Sequence, residues 1–149
     1  FPYTTLFRSY RISLLLMKTS ITPNQITTMS LGFGLAAGIA CLKGDYFSIL
    51  TGALLFLICY VLDNCDGEIA RLKDMRSIFG MRYDTFVDWL VHTVFFIGLG
   101  WGATSATGQP WWLWAGIAAG FGGSVNYALE LYQNKTKLHA SQLDRKSVV

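Results

Sequence analysis

The sequence predicts an all-α integral membrane protein, and three observations carry that expectation. Apolar runs close to the ~20 residues needed to span a bilayer recur along the chain. Of its 149 residues, 52% are hydrophobic and 14% charged, well under the ~25% charged that is usual in soluble domains. One polar stretch, Asp63 to Asp88, joins two strongly apolar segments and holds six acids, of which Asp63 and Asp66 are three apart and Asp84 and Asp88 four apart. Because lipid leaves backbone groups no partner but one another, the spans are expected as helices. The net charge of +3 is small and no basic stripe is evident, so nucleic acid is not an expected partner. Cys41, Cys59 and Cys65 sit in or beside apolar runs. They read as small packing residues, with no disulfide framework or zinc spacing.

Both ends read as foreign. Residues 1–9, Phe-Pro-Tyr-Thr-Thr-Leu-Phe-Arg-Ser, resemble the translation of a common short-read sequencing adapter. Residues 144–149 resemble the translation of its reverse complement, closed by a stop codon. Such scars are set aside before fold reasoning. The natural segment is then expected over about 10–143, cut short at its C-terminal side, and the isolated 149-residue chain is expected to be inactive.

In chain order, Tyr10 to Ser20 is too short to span and suits an amphipathic helix on the membrane surface or a helical lead-in. Thr22-Pro23-Asn24 punctuates: Pro suits the first turn of a helix and Thr22 can cap it. The first span, Ile26 to Leu42, is rich in small residues that let helices approach closely. After the turn Lys43-Gly44-Asp45, the second span starts at Tyr46 and is expected to continue as helix to about Arg71. Lys73 to Ser77 is a polar turn, and Gly80 opens a third segment whose apolar part ends near Ala103. Thr104 to Gln109 reads as a loop. The fourth span starts at Pro110 and ends near Tyr132. Arg11, Lys18, Arg71, Lys73, Arg76, Arg82, Lys135 and Lys137 all fall on one side of this topology and Lys43 alone on the other. The positive-inside rule then places the N-terminus and the acids in the cytoplasm. Trp101, Trp111, Trp112 and Trp114 fit an aromatic belt at the outer interface.

Asp63 and Asp66 are three apart, Asp84 and Asp88 four apart, so each pair shares a helical face. Four carboxylates meeting in one pocket would repel strongly. Divalent cations relieve that, and an all-oxygen set favours Mg²⁺ or Mn²⁺ over zinc. Cys65 is not counted as a ligand. Two such ions could clamp a phosphoryl group. Gly67 and Ala70 would let a substrate approach the backbone, Arg71 offers a planar fork to phosphate, and one acid could take a proton from an attacking hydroxyl.

The eight positions Asp63-x2-Asp66-Gly67-x2-Ala70-Arg71-x8-Gly80-x3-Asp84-x3-Asp88 match the signature of the CDP-alcohol phosphotransferase family. Thr22-Pro23-Asn24-x2-Thr27 is similar to that family's usual opening. The resemblance covers roughly Tyr10 to Lys137. It implies transfer of a substituted phosphate, usually phosphatidyl, from a CDP-linked alcohol such as CDP-diacylglycerol to a hydroxyl acceptor, with release of CMP. It implies that Asp63, Asp66 and Asp84 hold two metal ions, that Asp88 shares one and serves as the catalytic base, and that Gly67, Ala70 and Gly80 shape the nucleotide site. Arg71 and Asn24 are implied near the pyrophosphate. Members usually have six spans, so four are expected here of a six-helix bundle that dimerises when complete. The expected setting is a prokaryotic cytoplasmic membrane.

His92 follows Asp88 by one turn and either orients it or packs at the lipid edge. Asn126 and Glu130 lie on the inner half of the fourth span; Glu130 is a candidate acceptor ligand or supporting group, with an interhelical hydrogen bond as its alternative. Arg82, Lys135 and Lys137 are candidates for an acceptor phosphate, though topology alone accounts for positive residues there. His139 carries no readable signal. Two other function classes compete: a transporter fragment with an acidic ion site, and a non-catalytic helical subunit. The first predicts acids spread along a pore, the second gaps in the motif. Neither is what the sequence has.

Overall fold

The computed structural model describes residues 21–75 and 77–147, with side chains at 21–75, 77–125, 127–129 and 131–133. Residues 1–9, the Tyr10–Ser20 segment, Arg76 and the side chains of Asn126, Glu130, Lys135, Lys137 and His139 lie outside what is described. Four helices make up the described chain: α1 (Pro23–Cys41), α2 (Tyr46–Leu72), α3 (Ile78–Thr107) and α4 (Trp111–Ser147).

Local chemistry sets most of these bounds. Extended Thr22 precedes α1, Pro23 fills its first turn, and the Gln25 side chain accepts from the Thr22 N–H at 2.9 Å. Asp45 caps α2 by accepting from the backbone N–H (3.0 Å) and hydroxyl (2.7 Å) of Ser48. Those two bonds hold the Asp45 carboxyl below its ordinary pKa. Ser77 caps α3, its Oγ accepting from the Gly80 N–H at 2.9 Å. As expected, α2 runs unbroken through the acid motif.

The expected loop at Thr104 is instead the last turn of α3. The hydroxyls of Thr104, Ser105 and Thr107 turn back onto the carbonyls of Gly100, Trp101 and Ala103. Hydroxyls satisfied within the helix do not break it. The stop is Gly108, left-handed at φ 69°, whose N–H reaches Thr104 O at 2.8 Å. α4 likewise continues as helix past Tyr132.

α1 is the central element. It packs on α2 and on α3, and α4 packs on the other side of α3. Its buried positions, including Ile26, Ser30, Gly34, Ala37 and Cys41, recur at helical spacing. Small residues allow the closeness: a methyl group on Gly98 would lie 3.0 Å from the carbonyl carbon of Gly38. The α2 and α3 backbones make few close approaches. Side chains bridge them: Phe56 stacks on Phe95 at 4.1 Å, and Cys59, Val87 and Val91 form a buried cluster.

With short connections between elements, the start of α1, the end of α2 and the start of α3 share one end of the molecule. Lys73 reinforces that end, its Nζ donating to the Ile21 carbonyl at 3.0 Å. Among the described residues, α2 and α3 are long and apolar enough to cross a membrane. Their large apolar side chains, such as Leu54, Leu57 and Phe86, stand exposed. An exposed apolar face of that extent calls for a nonpolar surrounding.

Candidate active site

Carboxylate oxygens of Asp63, Asp66 and Asp84 all lie within 4.8 Å of one another. Two come from the last turns of α2 and one from the second turn of α3. Asp66 is buried at 3% exposure, while Asp63 and Asp84 are half-buried. Carboxylates so close repel unless something positive lies between them. Oxygens facing each other across Mg²⁺ at its usual ~2.1 Å bond length sit about 4.2 Å apart. Neighbouring oxygens on such an ion sit about 3 Å apart, so the three-oxygen set could close on one hard divalent cation by side-chain rotation. Asp63, Asp66 and Asp84 are the residues that would hold it.

Beside these acids opens a cavity of about 450 Å³. Its walls include Asn24 and Thr27 of α1, Asp66, Gly67, Ala70 and Arg71 of α2, and Gly80 and Asp84 of α3. All five residues proposed from sequence for nucleotide or pyrophosphate thus share one wall with two of the acids. A Cβ on Gly67 would meet nothing within 4 Å, so that position opens into the cavity. Gly80 is small for another reason: a Cβ there would come within 3.1 Å of Asn24 Oδ1. Its bare backbone lets Asn24 stand against α3.

Asp88 is placed differently from the other three acids. It lies outside the three-oxygen cluster and shares a narrow crevice with Asp63, Ser30, Cys59 and His92. Its Oδ1 is 3.0 Å from His92 Nδ1. Arg82 is exposed and lines neither the cavity nor the crevice. Cys65 is buried and outside the acid cluster.

Sequence reasoning gave no role to Thr27, whose hydroxyl donates to Asp66 Oδ2 from the neighbouring helix. The available signal was its spacing: Thr27 follows Asn24 by three, which puts both on one face of α1. Met75, Ser77, Ile78 and Met81, also missed, line the same cavity.

The CDP-alcohol phosphatidyltransferase family model matches residues 20–145. The chain belongs to that family. Curated relatives agree. The bifunctional IPC transferase and DIPP synthase of Archaeoglobus fulgidus is 36% identical over 58% of this chain and 17% of that protein. The protein of the same name from Aquifex aeolicus is 31% identical over 75% of this chain and 25% of its own length. The phosphatidylinositol phosphate synthase of Corynebacterium glutamicum is 29% identical over 60% of this chain and 40% of that protein. The chain thus spans well under half the length of these relatives. The family's name describes an enzyme activity.

Proposed function

We propose that this protein transfers a phosphatidyl group from a CDP-alcohol such as CDP-diacylglycerol to a hydroxyl acceptor and releases CMP. The observation that carries the reading is the cluster of Asp63, Asp66 and Asp84 oxygens at the edge of the cavity walled by Asn24, Gly67, Ala70, Arg71 and Gly80. An ion site opening directly onto a cavity with a guanidinium suits a pyrophosphate.

The acceptor oxygen attacks the phosphorus that carries the lipid, the pyrophosphate bridge breaks, and CMP leaves with the bridging oxygen. Asp88 takes the proton from the attacking hydroxyl. Arg71 and Asn24 orient the pyrophosphate, while bare Gly67 and short Ala70 admit the nucleotide to the α2 backbone. Mg²⁺ or Mn²⁺, two ions on this reading with Asp88 sharing the second, would supply charge neutralisation as bonds to phosphorus change. Positioning and electrostatics carry most of the catalysis in phosphoryl transfer.

On this reading the acceptor is an inositol phosphate. The turn from Asp63 to Lys73 resembles members that handle it, and one relative is named for phosphatidylinositol phosphate. Four spans of a six-helix, dimeric bundle hold the site at the cytoplasmic face, where lipid tails stay in the bilayer and polar partners arrive from water. Arg82, Glu130 and Lys135 are the residues to probe for the acceptor.

The test uses the purified full-length gene product that contains this chain, with CDP-diacylglycerol, Mn²⁺ or Mg²⁺ and a panel of acceptors. CMP release that requires both a metal and inositol phosphate is expected. Undiminished release after Asp63→Ala or Asp84→Ala would overturn the metal assignment.

A further inference from the structure

Asp66 needs something to hold it, and the holder comes from another helix. Asp66 and Thr27 are each only 3% exposed. Thr27 Oγ1 lies within hydrogen-bond distance of Asp66 Oδ2, and 3.2 Å from the Pro23 carbonyl oxygen. A hydroxyl has one proton to give, and both neighbours are acceptors. The Pro23 carbonyl stands four residues before Thr27 in α1, where the helix ladder already supplies the Thr27 N–H. The carboxylate gains more from a donor because it is charged. The proton therefore points at Asp66.

We propose that Thr27 is a positioning residue for the divalent cation: its hydroxyl fixes the Asp66 carboxylate so that Asp66 faces Asp63 and Asp84. This rests on the metal reading above. Thr27 touches no reacting atom on that reading and acts through Asp66. The two residues are 39 apart in sequence, so the bond ties α1 to α2 and is no local loop contact. Threonine in a helix divides between two χ1 rotamers, and the one adopted here sets the hydroxyl between Asp66 and the Pro23 carbonyl. One turn earlier, Asn24 lines the same cavity. A single rigid turn of α1 thus serves both the acid and the pyrophosphate side.

The test measures Mn²⁺ binding by electron paramagnetic resonance, without substrate, on the full-length gene product, and CMP release against Mn²⁺ concentration. Valine copies the shape of threonine without the donor. Thr27→Val is expected to weaken Mn²⁺ binding roughly tenfold to hundredfold. Thr27→Ser keeps the hydroxyl and is expected to bind nearly as the wild type does. Wild-type Mn²⁺ affinity in Thr27→Val overturns the proposal, and so does equal weakening in the valine and serine variants, which marks packing alone. If Thr27→Val does not fold, Thr27→Cys replaces it: intermediate affinity supports the proposal and wild-type affinity overturns it. A wild-type protein that binds no Mn²⁺ overturns the metal reading itself.

Discussion

His92 grips Asp88 at two points: Nδ1 lies 3.0 Å from the carboxylate Oδ1 and 2.8 Å from the backbone carbonyl oxygen. Both partners accept, so Nδ1 carries the proton. Phe56 of α2 stands edge-on to the imidazole at 5.3 Å and 89°. His92 therefore orients the proposed base and also fills space against Phe56, and the two roles separate by mutation. His92→Phe keeps a ring against Phe56 and loses the donor; His92→Asn keeps an N–H near the Nδ1 position and loses the ring. Orientation predicts that kcat for CMP release falls roughly tenfold or more in the phenylalanine variant and is largely kept in the asparagine variant. Equal losses in both would leave His92 a packing residue.

Gly67 is a position where the fold and the substrate are expected to disagree. A methyl group there meets no protein atom within 4 Å, and alanine in a helix interior is about 0.5–1 kcal/mol better than glycine. Gly67→Ala should melt at a higher temperature while its KM for the CDP-lipid rises. Thermal melting and CMP-release kinetics on one preparation check both. An unchanged KM would remove Gly67 from the substrate's path.

Charges in an apolar chain announced this site, because carboxylates at a membrane edge are costly and need a reason. That logic singles out Asp63, Asp66, Asp84 and Asp88, and the first three cluster; side-chain size and charge single out Gly67, Ala70 and Arg71, which line the cavity. Thr27 escaped it because a neutral hydroxyl in an apolar helix has no such cost. The end of α3 escaped for a related reason: Thr104, Ser105 and Thr107 look like loop residues until their hydroxyls bond one turn back. Sequence periodicity also does not say which helix lies in the middle. In the structure α1 packs on both motif helices, whose own backbones make few close approaches.

Substitution of Asp63 should move metal-free stability and activity in opposite directions. Three carboxylate oxygens within 4.8 Å repel when no cation is bound; a pair of charges 4 Å apart costs up to about 4 kcal/mol at an effective dielectric of 20. Chelation is expected to abolish CMP release and lower the melting temperature, and Mg²⁺ or Mn²⁺ to restore both. Asp63→Asn relieves part of the repulsion. Its metal-free form should melt several degrees above the metal-free wild type, with little further rise on adding Mn²⁺ and CMP release cut at least a hundredfold. A metal-free Asp63→Asn that melts below the metal-free wild type would show that these charges are already balanced without a cation.

Contact between α1 and α3 depends on glycine at positions far from the acids. A Cβ on Gly98 would lie 3.2 Å from Gly38 Cα and 3.0 Å from its carbonyl carbon, backbone that has no rotamer to turn away. The next turn repeats the constraint, since a Cβ on Gly102 would meet the Cys41 carbonyl and lie 3.2 Å from Gly44 Cα, with Gly44 at φ +76°. Gly98→Ala must push the helices apart, at an overpacking cost of about 1–3 kcal/mol. Against that stands a helix-propensity gain of at most about 1 kcal/mol, so the net change is expected to be destabilising. Gly122→Ala in α4 is the control: its Cβ meets nothing within 4 Å, and the propensity gain should appear undiminished. Because α1 also carries Asn24 and Thr27, spreading it from α3 should raise the KM for the CDP-lipid in Gly98→Ala and leave it unchanged in Gly122→Ala. Equal melting temperatures for the two variants would mean that α1 and α3 do not approach backbone to backbone.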